Sequence, residues 1–476
     1  MAIAYTKTEQ GLTVSTGTGS PTHTAVAGDR YTDTSNGNTY QYTTSWQIIS
    51  YGAGGLTYFS EAQNTTTPNV TIPVDSLIAV TSTTNGDVAI VPKGAGAFSL
   101  AVADNLVTGG NKRGQYAVDL QLARSTSGQV AGGVGSFTAG SLNSVSQDYG
   151  VAIGRQNSVT SYYGTALGLQ NSVTGSYATA LGMANTSSGQ NGFAGGYGST
   201  ASGGFSVALG NGSIASNTGS VSLGVGNNVS GISGFGAGSG NTNTGNYSAI
   251  FGQSNLITGQ FTLRSGYGNG GNASYSITSG YNNVVSGSEN GCFGSSSNVT
   301  GDYAFSLGYQ NVASGYASTS IGQKANTFGI SGRKVFSSGG YVAGDSQKSI
   351  LNLRIRTTNA TPTVLTSDAG VSGTTNQLIL QDNNSIRFKG TIIGRQSGST
   401  NTSAWDIDGI IQRGVGVATT TLLISNINSI LNLNLWGNPT LVADTINGGL
   451  NVNVIGLATT NIQWSCTLDT TEVIYA

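Results

Sequence analysis

Ser206-Val207-Ala208-Leu209-Gly210 is followed, fourteen residues on, by Ser220-Val221-Ser222-Leu223-Gly224. The same phase picks out Val151-Ala152-Ile153-Gly154 and Thr179-Ala180-Leu181-Gly182. On this period glycine stands at Gly140, Gly154, Gly168, Gly182, Gly196, Gly210, Gly224, Gly238, Gly252, Gly266, Gly280, Gly294, Gly308 and Gly322, with no insertion or deletion. A second glycine often returns seven residues later, as at Gly175, Gly189, Gly203, Gly231, Gly245 and Gly259. Asn occupies the third position after the landmark in Asn143, Asn157, Asn171, Asn185, Asn227, Asn241, Asn255 and Asn311, and Val, Ile or Ala usually fills the fifth. A period held across residues 127–322 marks a repeat architecture.

Two turn signals per repeat leave two segments of about five residues, which is strand length and too short for helices. Within residues 206–210, Val207 and Leu209 point to one side, Ser206 and Ala208 to the other. Gly and Asn supply the positive-φ corners. Each coil therefore reads strand, turn, strand, turn, with successive coils stacked in parallel. Fourteen coils at ~4.8 Å each make a rod ~65 Å long. A flattened two-sided coil fits this period; a triangular hexapeptide helix would need about eighteen residues per turn. The expected interior is a thin one of Val, Leu and Ala. It buries too little apolar area in one chain to offset the ordering of so many glycines, so several chains packed side by side are expected.

The S-V-A-L-G segment on a fourteen-residue repeat resembles the head domain of YadA-type trimeric adhesins. That resemblance implies a left-handed parallel β-roll and a homotrimer. Leu263-Arg264-Ser265-Gly266 and Gly291-Cys292-Phe293-Gly294 keep the glycine and depart from the apolar pattern. A second resemblance lies in Ser338-Gly339-Gly340-Tyr341 and Gly344-Asp345-Ser346-Gln347, which look like the start of C-terminal modules closing bacteriophage tail fibres. Residues 87–97 and 109–124 are similar to fibre sequence preceding such repeats. Together these imply a homotrimeric tail fibre or receptor-binding protein of the virion, assembled in the host cytoplasm. Its implied partners are other tail or baseplate proteins, through the N-terminal region, and a host surface polysaccharide or protein receptor.

Composition agrees with a repeat. Charged residues are 8% of the chain, against ~25% in ordinary globular domains, and there are 74 glycines. The repeat block holds only Asp148, Arg155, Arg264, Glu289 and Asp302. A net charge of −1 offers no basic patch for nucleic acid or an acidic membrane. No apolar stretch of signal-peptide length begins the chain and no 18-residue apolar span occurs, so neither classical secretion nor membrane insertion is expected. One histidine, His23, and two distant cysteines, Cys292 and Cys466, make no zinc site, and no cofactor is expected. The cysteines read as buried free thiols.

Four regions follow. Residues 1–55 form an N-terminal β attachment domain, with a hairpin centred on Asn36-Gly37 between residues 31–34 and 39–42. Residues 56–126 are a short-strand β connector, with strands expected at Val70-Thr71-Ile72 and Asp87-Val88-Ala89-Ile90-Val91. Lys112 and Arg113 within it read as a solvated loop. Residues 127–322 are the roll. Residues 323–476, where charge returns, show alternating segments at 351–356, 377–380, 385–389, 405–411, 421–424, 430–435, 450–455 and 462–468, read as one antiparallel β-sandwich carrying the receptor-binding tip.

Candidate chemistry is sparse. Asp406 and Asp408 flank Ile407 in one strand and face the same side; paired carboxylates cleave glycosides when ~5 to 9 Å apart. They read first as a solvated outer face beside Arg413, so no enzyme is expected and a tailspike depolymerase is the rival. A bacterial surface adhesin is the third reading, lacking here its heptad stalk and membrane barrel. Trp405, Trp436 and Trp464 fall in the terminal domain, where tryptophan reads first as core and otherwise as a ring that can stack on sugars. Trp436, beside the Gly437-Asn438-Pro439 turn, is the foremost candidate for an exposed receptor contact, with Trp405 second.

Overall fold

The computed structural model is all-β; its one helical segment among the described residues is the 3-10 turn Val417–Thr419. It describes residues 89–432 and 436–475 and, of the first 88, the strands and parts of 17–45. Two compact units result, residues 1–91 and 92–476.

The first unit holds a five-stranded sheet, in the order Ala4–Glu9, Leu12–Gly17, Arg30–Asp33, Thr39–Tyr42, Trp46–Ser50. The expected hairpin is present, with Tyr31 opposite Tyr40 and both rings buried, 6.3 Å apart. Its Asn36-Gly37 turn, His23, Val70-Thr71-Ile72 and Asp87-Val88 lie outside the described residues. Ala89, Ile90 and Val91 form no strand. A separate antiparallel pair joins Phe59–Asn64 to Val74–Ala79.

The second unit is a parallel β-solenoid followed by an antiparallel region. Gly140 pairs with Gly154, Gly154 with Gly168, and so on to Gly308 with Gly322, with no register shift. The ladder also extends past these coils: Phe98–Ser99 and Val118–Gln121 stack before it, Lys334–Ser338 after it. Most coils have one five-residue strand, such as Val151–Arg155, and one of only two residues, such as Ser158–Val159; at Gly270 the short strand shrinks to a single bridge. Glycine at the landmark is doubly required. Gly168 has φ 120°, and a Cβ there would lie 2.1 Å from the Gly182 carbonyl oxygen one coil on.

The interior differs from the expected mixture of Val, Leu and Ala. Ala152, Ala166 and Ala180 form one inward column, and Val145, Val159 and Val173 the facing one. Leu209 and Val207 instead lie on the outer face, half-buried. The reason is width: at Gly236 even an added Cβ would come within 2.6 Å of a Val229 methyl, and the fully buried Ile250 stands one coil on from that glycine, so a large side chain enters the column only where a neighbour is small.

Buried amides lock the register. Asn157 donates its Nδ2 to the carbonyl oxygens of Ile153 and Gly168, at 3.0 and 2.8 Å. The Oδ1 of Asn143, one coil behind, accepts from both its backbone N–H and its Nδ2. Asn171 repeats this on Asn157, and Asn185 on Asn171. Each of these amides is thereby satisfied, and asparagines stack in two runs, Asn143 to Asn185 and Asn227 to Asn283, separated by Ser199 and Ser213.

The terminal region begins in the same sheet. Val335 pairs antiparallel with Ser349, so Ser346–Thr357 continues the ladder. Ile462–Ile474, Asn384–Gln396, Thr402–Arg413 and Thr421–Leu431 follow in that order. The expected segments at 421–424 and 430–435 are thus one strand to Leu431, with 433–435 outside the described residues. A smaller sheet joins Gly449–Ile455 to Thr363–Val364, Leu378–Ile379 and Gly437–Asp444. One apolar cluster draws on both sheets, including Leu351, Phe388, Trp405 and Trp464 from the larger and Leu378, Leu450 and Val452 from the smaller.

Buried charge closes both ends of the solenoid interior. At the start, Asp119 receives Arg113 at 2.7 Å, Arg124 at 3.0 Å and the Thr138 hydroxyl at 2.7 Å. Arg113 is therefore buried, correcting its reading as a solvated loop residue; Lys112 beside it is exposed. At the far end Arg333 pairs with Glu472 of the last strand, which also accepts from Gln347 at 3.0 Å and Thr470 at 2.6 Å. Burial alone would raise the Glu472 carboxyl, but Arg333 and the Ser349 and Thr470 hydroxyls hold it below its ordinary value.

Candidate functional site

Three surfaces of the second unit carry chemistry. The first is the outer face of the solenoid's long strands. Because only the middle residue of each Val-Ala-Leu triplet faces inward, two apolar columns face out. Ile153, Phe251, Leu307 and Phe336 in one column and Leu263 and Ile277 in the other are each at least 40% exposed; Leu167, Leu181, Leu209 and Leu223 continue the first, half-buried, and Thr165, Thr179, Ser265 and Ser279 interrupt the two. Apolar surface on this scale marks an interaction face.

The second surface is a corner row of aromatic rings in left-handed backbone conformation. Tyr149, Tyr163 and Tyr177 stack at 5.0 and 4.9 Å; Tyr247, Phe261 and Tyr275 repeat this at 5.2 and 5.0 Å. Their faces are occupied by one another, so edges and hydroxyls, rather than ring faces, meet solvent.

The third is the outer face of the terminal sheet, where apolar columns give way to charge. Lys348 meets Asp469 at 3.3 Å and Arg387 meets Asp408 at 2.9 Å. Asp406 and Asp408 do face the same side. Asp406 accepts from the Thr391 hydroxyl, and Asp408 from Arg387 and the Asn426 amide, each at 2.9 Å. Asn426 and Arg387 hold the Asp408 carboxyl below the usual carboxylate range, which keeps it ionised and opposes a proton-donor role. Arg413 is not their neighbour; it pairs with Asp382 at 2.6 Å.

The core reading of the tryptophans holds, and the candidacy of Trp436 and Trp405 as exposed receptor contacts does not. Both are buried, at 3% and 1% exposure, and Trp464 lies between them at 5.3 and 5.9 Å. The turn after Trp436 leads into Gly437–Asp444, which folds the ring back into the shared core. Cys292 and Cys466 are free and buried; burial pushes both thiols up to about 12, far from reactive.

Sequence reasoning missed Arg264 as an interior residue. It stands in the column of Ala152, fully buried, with a guanidinium donating to the Leu256 and Gly271 carbonyls. Gly271, in the column of Val159 and Val285, removes the side chain that would otherwise occupy that space. The phase of Arg264 in the repeat carries this signal. Among the described residues, no helix is long and apolar enough to cross a membrane. No protein-family model matches the chain, and no curated protein matches it either.

Proposed function

We propose that the chain is the subunit of a homotrimeric virion fibre, a receptor-binding protein whose N-terminal region attaches to tail or baseplate proteins. In this reading the solenoid is a stiff spacer and the terminal region contacts host surface polysaccharide. The observation that carries it is the outward apolar face of the long strands, which a single chain leaves in water and two further copies laid alongside would cover. The strand Thr421–Leu431 gives independent support: Leu423, Ile424 and Ile430 are about half exposed along a strand whose ladder among the described residues runs to Thr402–Arg413 on one side. An open strand edge is a template for pairing with another chain unless a partner covers it.

Adhesion is favoured over glycan cleavage because Asp406 and Asp408 are both engaged in hydrogen bonds and Asp408 is held ionised. Sedimentation of the native protein should give about three times the 48.1 kDa chain mass. The same preparation should block adsorption of the virion while leaving the size of host polysaccharide unchanged. A stable monomer, or shortened glycans, would overturn the reading.

A further inference from the structure

The terminal sheet carries an open groove of about 730 Å³ whose lining includes Arg356, Ile393, Arg395, Gln396, Asn461 and Gln463. Arg356 lies opposite Gln463 on the neighbouring strand, and Gln463 lies opposite Arg395 on the next. With strands ~4.8 Å apart, the two arginines stand ~10 Å apart at the backbone, within convergent reach over Gln463. Arg356 uses Nε on the Gln463 side-chain oxygen at 3.3 Å, and Arg395 one Nη on the Thr402 hydroxyl at 3.2 Å. These contacts orient each guanidinium and leave donors over for a ligand.

The cations of this sheet divide into paired and unpaired. On the same sheet Lys348, Arg387 and Arg413 each hold an aspartate. Arg354, Arg356, Lys389 and Arg395 hold none among the described residues, and of these Arg356 and Arg395 line the groove, whose lining contains no carboxylate. Ile393, 48% exposed, adds an apolar patch between them and the sheet centre. The site is also clear of the solenoid's apolar face. Arg356 is six residues beyond Ile350, the last residue paired to Lys334–Ser338, or ~20 Å along the strand at ~3.4 Å per residue.

We propose that this groove binds an anionic glycan, with a carboxylate or phosphate substituent seated between Arg356 and Arg395 and a sugar ring against Ile393. Guanidinium forks match both oxyanions, and the Gln396, Asn461 and Gln463 amides can satisfy ring hydroxyls. This rests on the adhesion reading and names the class of sugar it requires.

Calorimetric titration of the full chain tests it with three probes: oligogalacturonate, a mannose-6-phosphate oligosaccharide and neutral maltohexaose. At least one charged probe should bind, more weakly as salt rises, and maltohexaose should not. Which charged probe binds names the source of the charge. The double variant Arg356→Gln, Arg395→Gln should lose at least tenfold in affinity, while Arg387→Gln should retain it. Failure of both charged probes, equal binding of the neutral one, or an unchanged double variant would overturn the proposal. Virion-adsorption blocking by the same proteins separates the two readings. If the double variant binds charged sugar poorly and still blocks, the groove is not the receptor contact and adhesion stands. If the parent binds charged sugar and never blocks, the anion site stands and adhesion falls.

Discussion

The solenoid buries Ala, Val, Ser and Asn, whereas the terminal region buries Trp, Phe, Ile and Leu. The two share one sheet across Lys334–Ser338 and Ser346–Thr357, so the contrast comes from what lies behind it. In the solenoid the opposite wall is a two-residue strand, and the enclosed width holds two small columns and an amide ladder. In the terminal region it is a separate sheet, far enough away for three tryptophans to meet edge to face or tilted. The narrow core places most of its large aliphatics outside, Ile250 and Ile257 excepted; the wide one takes them in. Stability in the solenoid is then a sum of neighbour terms along the stack. The terminal region depends on distant pairings such as Leu351 with Leu468, which cost more chain entropy to form.

The sharpest way to break this comparison is at the joint. Glu472→Ala leaves Arg333 buried without its partner and should cost about 3–5 kcal/mol. Chemical denaturation should show the terminal region melting before the solenoid. If the two still melt together with no loss, the ion pair does not couple them. Acid provides the same test without a mutation. The folded Glu472 carboxyl titrates below its unfolded value, so its contribution is present at neutral pH and is lost as pH falls through the folded pKa. Terminal-region fluorescence should therefore change in that acidic window while solenoid circular dichroism persists.

A second test asks whether backbone approach, rather than side-chain volume, governs the narrow region. Gly182 has φ 111°, and a Cβ there would lie 2.3 Å from the Gly196 carbonyl oxygen. Gly182→Val should cost about 1–3 kcal/mol in backbone strain alone, and more with the clash. Ser176→Thr, on a half-buried turn position, should leave the melting temperature within a degree or two of the parent, on the order of 0.5 kcal/mol or less. Equal losses at both positions would refute the assigned geometry.

The smallest effect on chain stability belongs to the outward face. Leu209→Ser removes an exposed-side aliphatic and should change unfolding free energy by about 0.5 kcal/mol or less. The same change should lower the sedimenting mass at fixed concentration, because the face is then harder to cover. A large stability loss with unchanged mass would place Leu209 inside a single-chain core after all.

Much of this was legible before the fold was known. The fourteen-residue step, the corner glycines and the buried Val159 column follow from spacing alone, because stacking repeats each environment at the same phase. Which side of Val207-Ala208-Leu209 faces inward was not legible. Alternation defines two faces without a sign, and hydrophobicity votes for leucine, while only the enclosed width rejects it. Trp436 misled for a related reason: a following Gly-Asn-Pro marks a turn, but a turn can fold a ring into a core as readily as out of it. The groove was invisible because Arg356, Gln463 and Arg395 are adjacent only through pairing between strands separated by many residues. Arg264 and Arg113 could have been placed inside, since each breaks a nearly charge-free background at a defined phase or beside Asp119.

The asparagine ladder has a consequence for heredity. Asn157 donates to Asn143 the same bonds that it accepts from Asn171, so within a run of asparagines each coil presents forward the surface its predecessor presents to it. In a gene encoding such a stack, an in-frame duplication or loss of one repeat by unequal recombination rejoins matching surfaces. The product gains or loses ~4.8 Å of length per repeat and no new interface has to be selected. Length then becomes a quantity that can change in a single generation, while the two ends of the stack stay as they were.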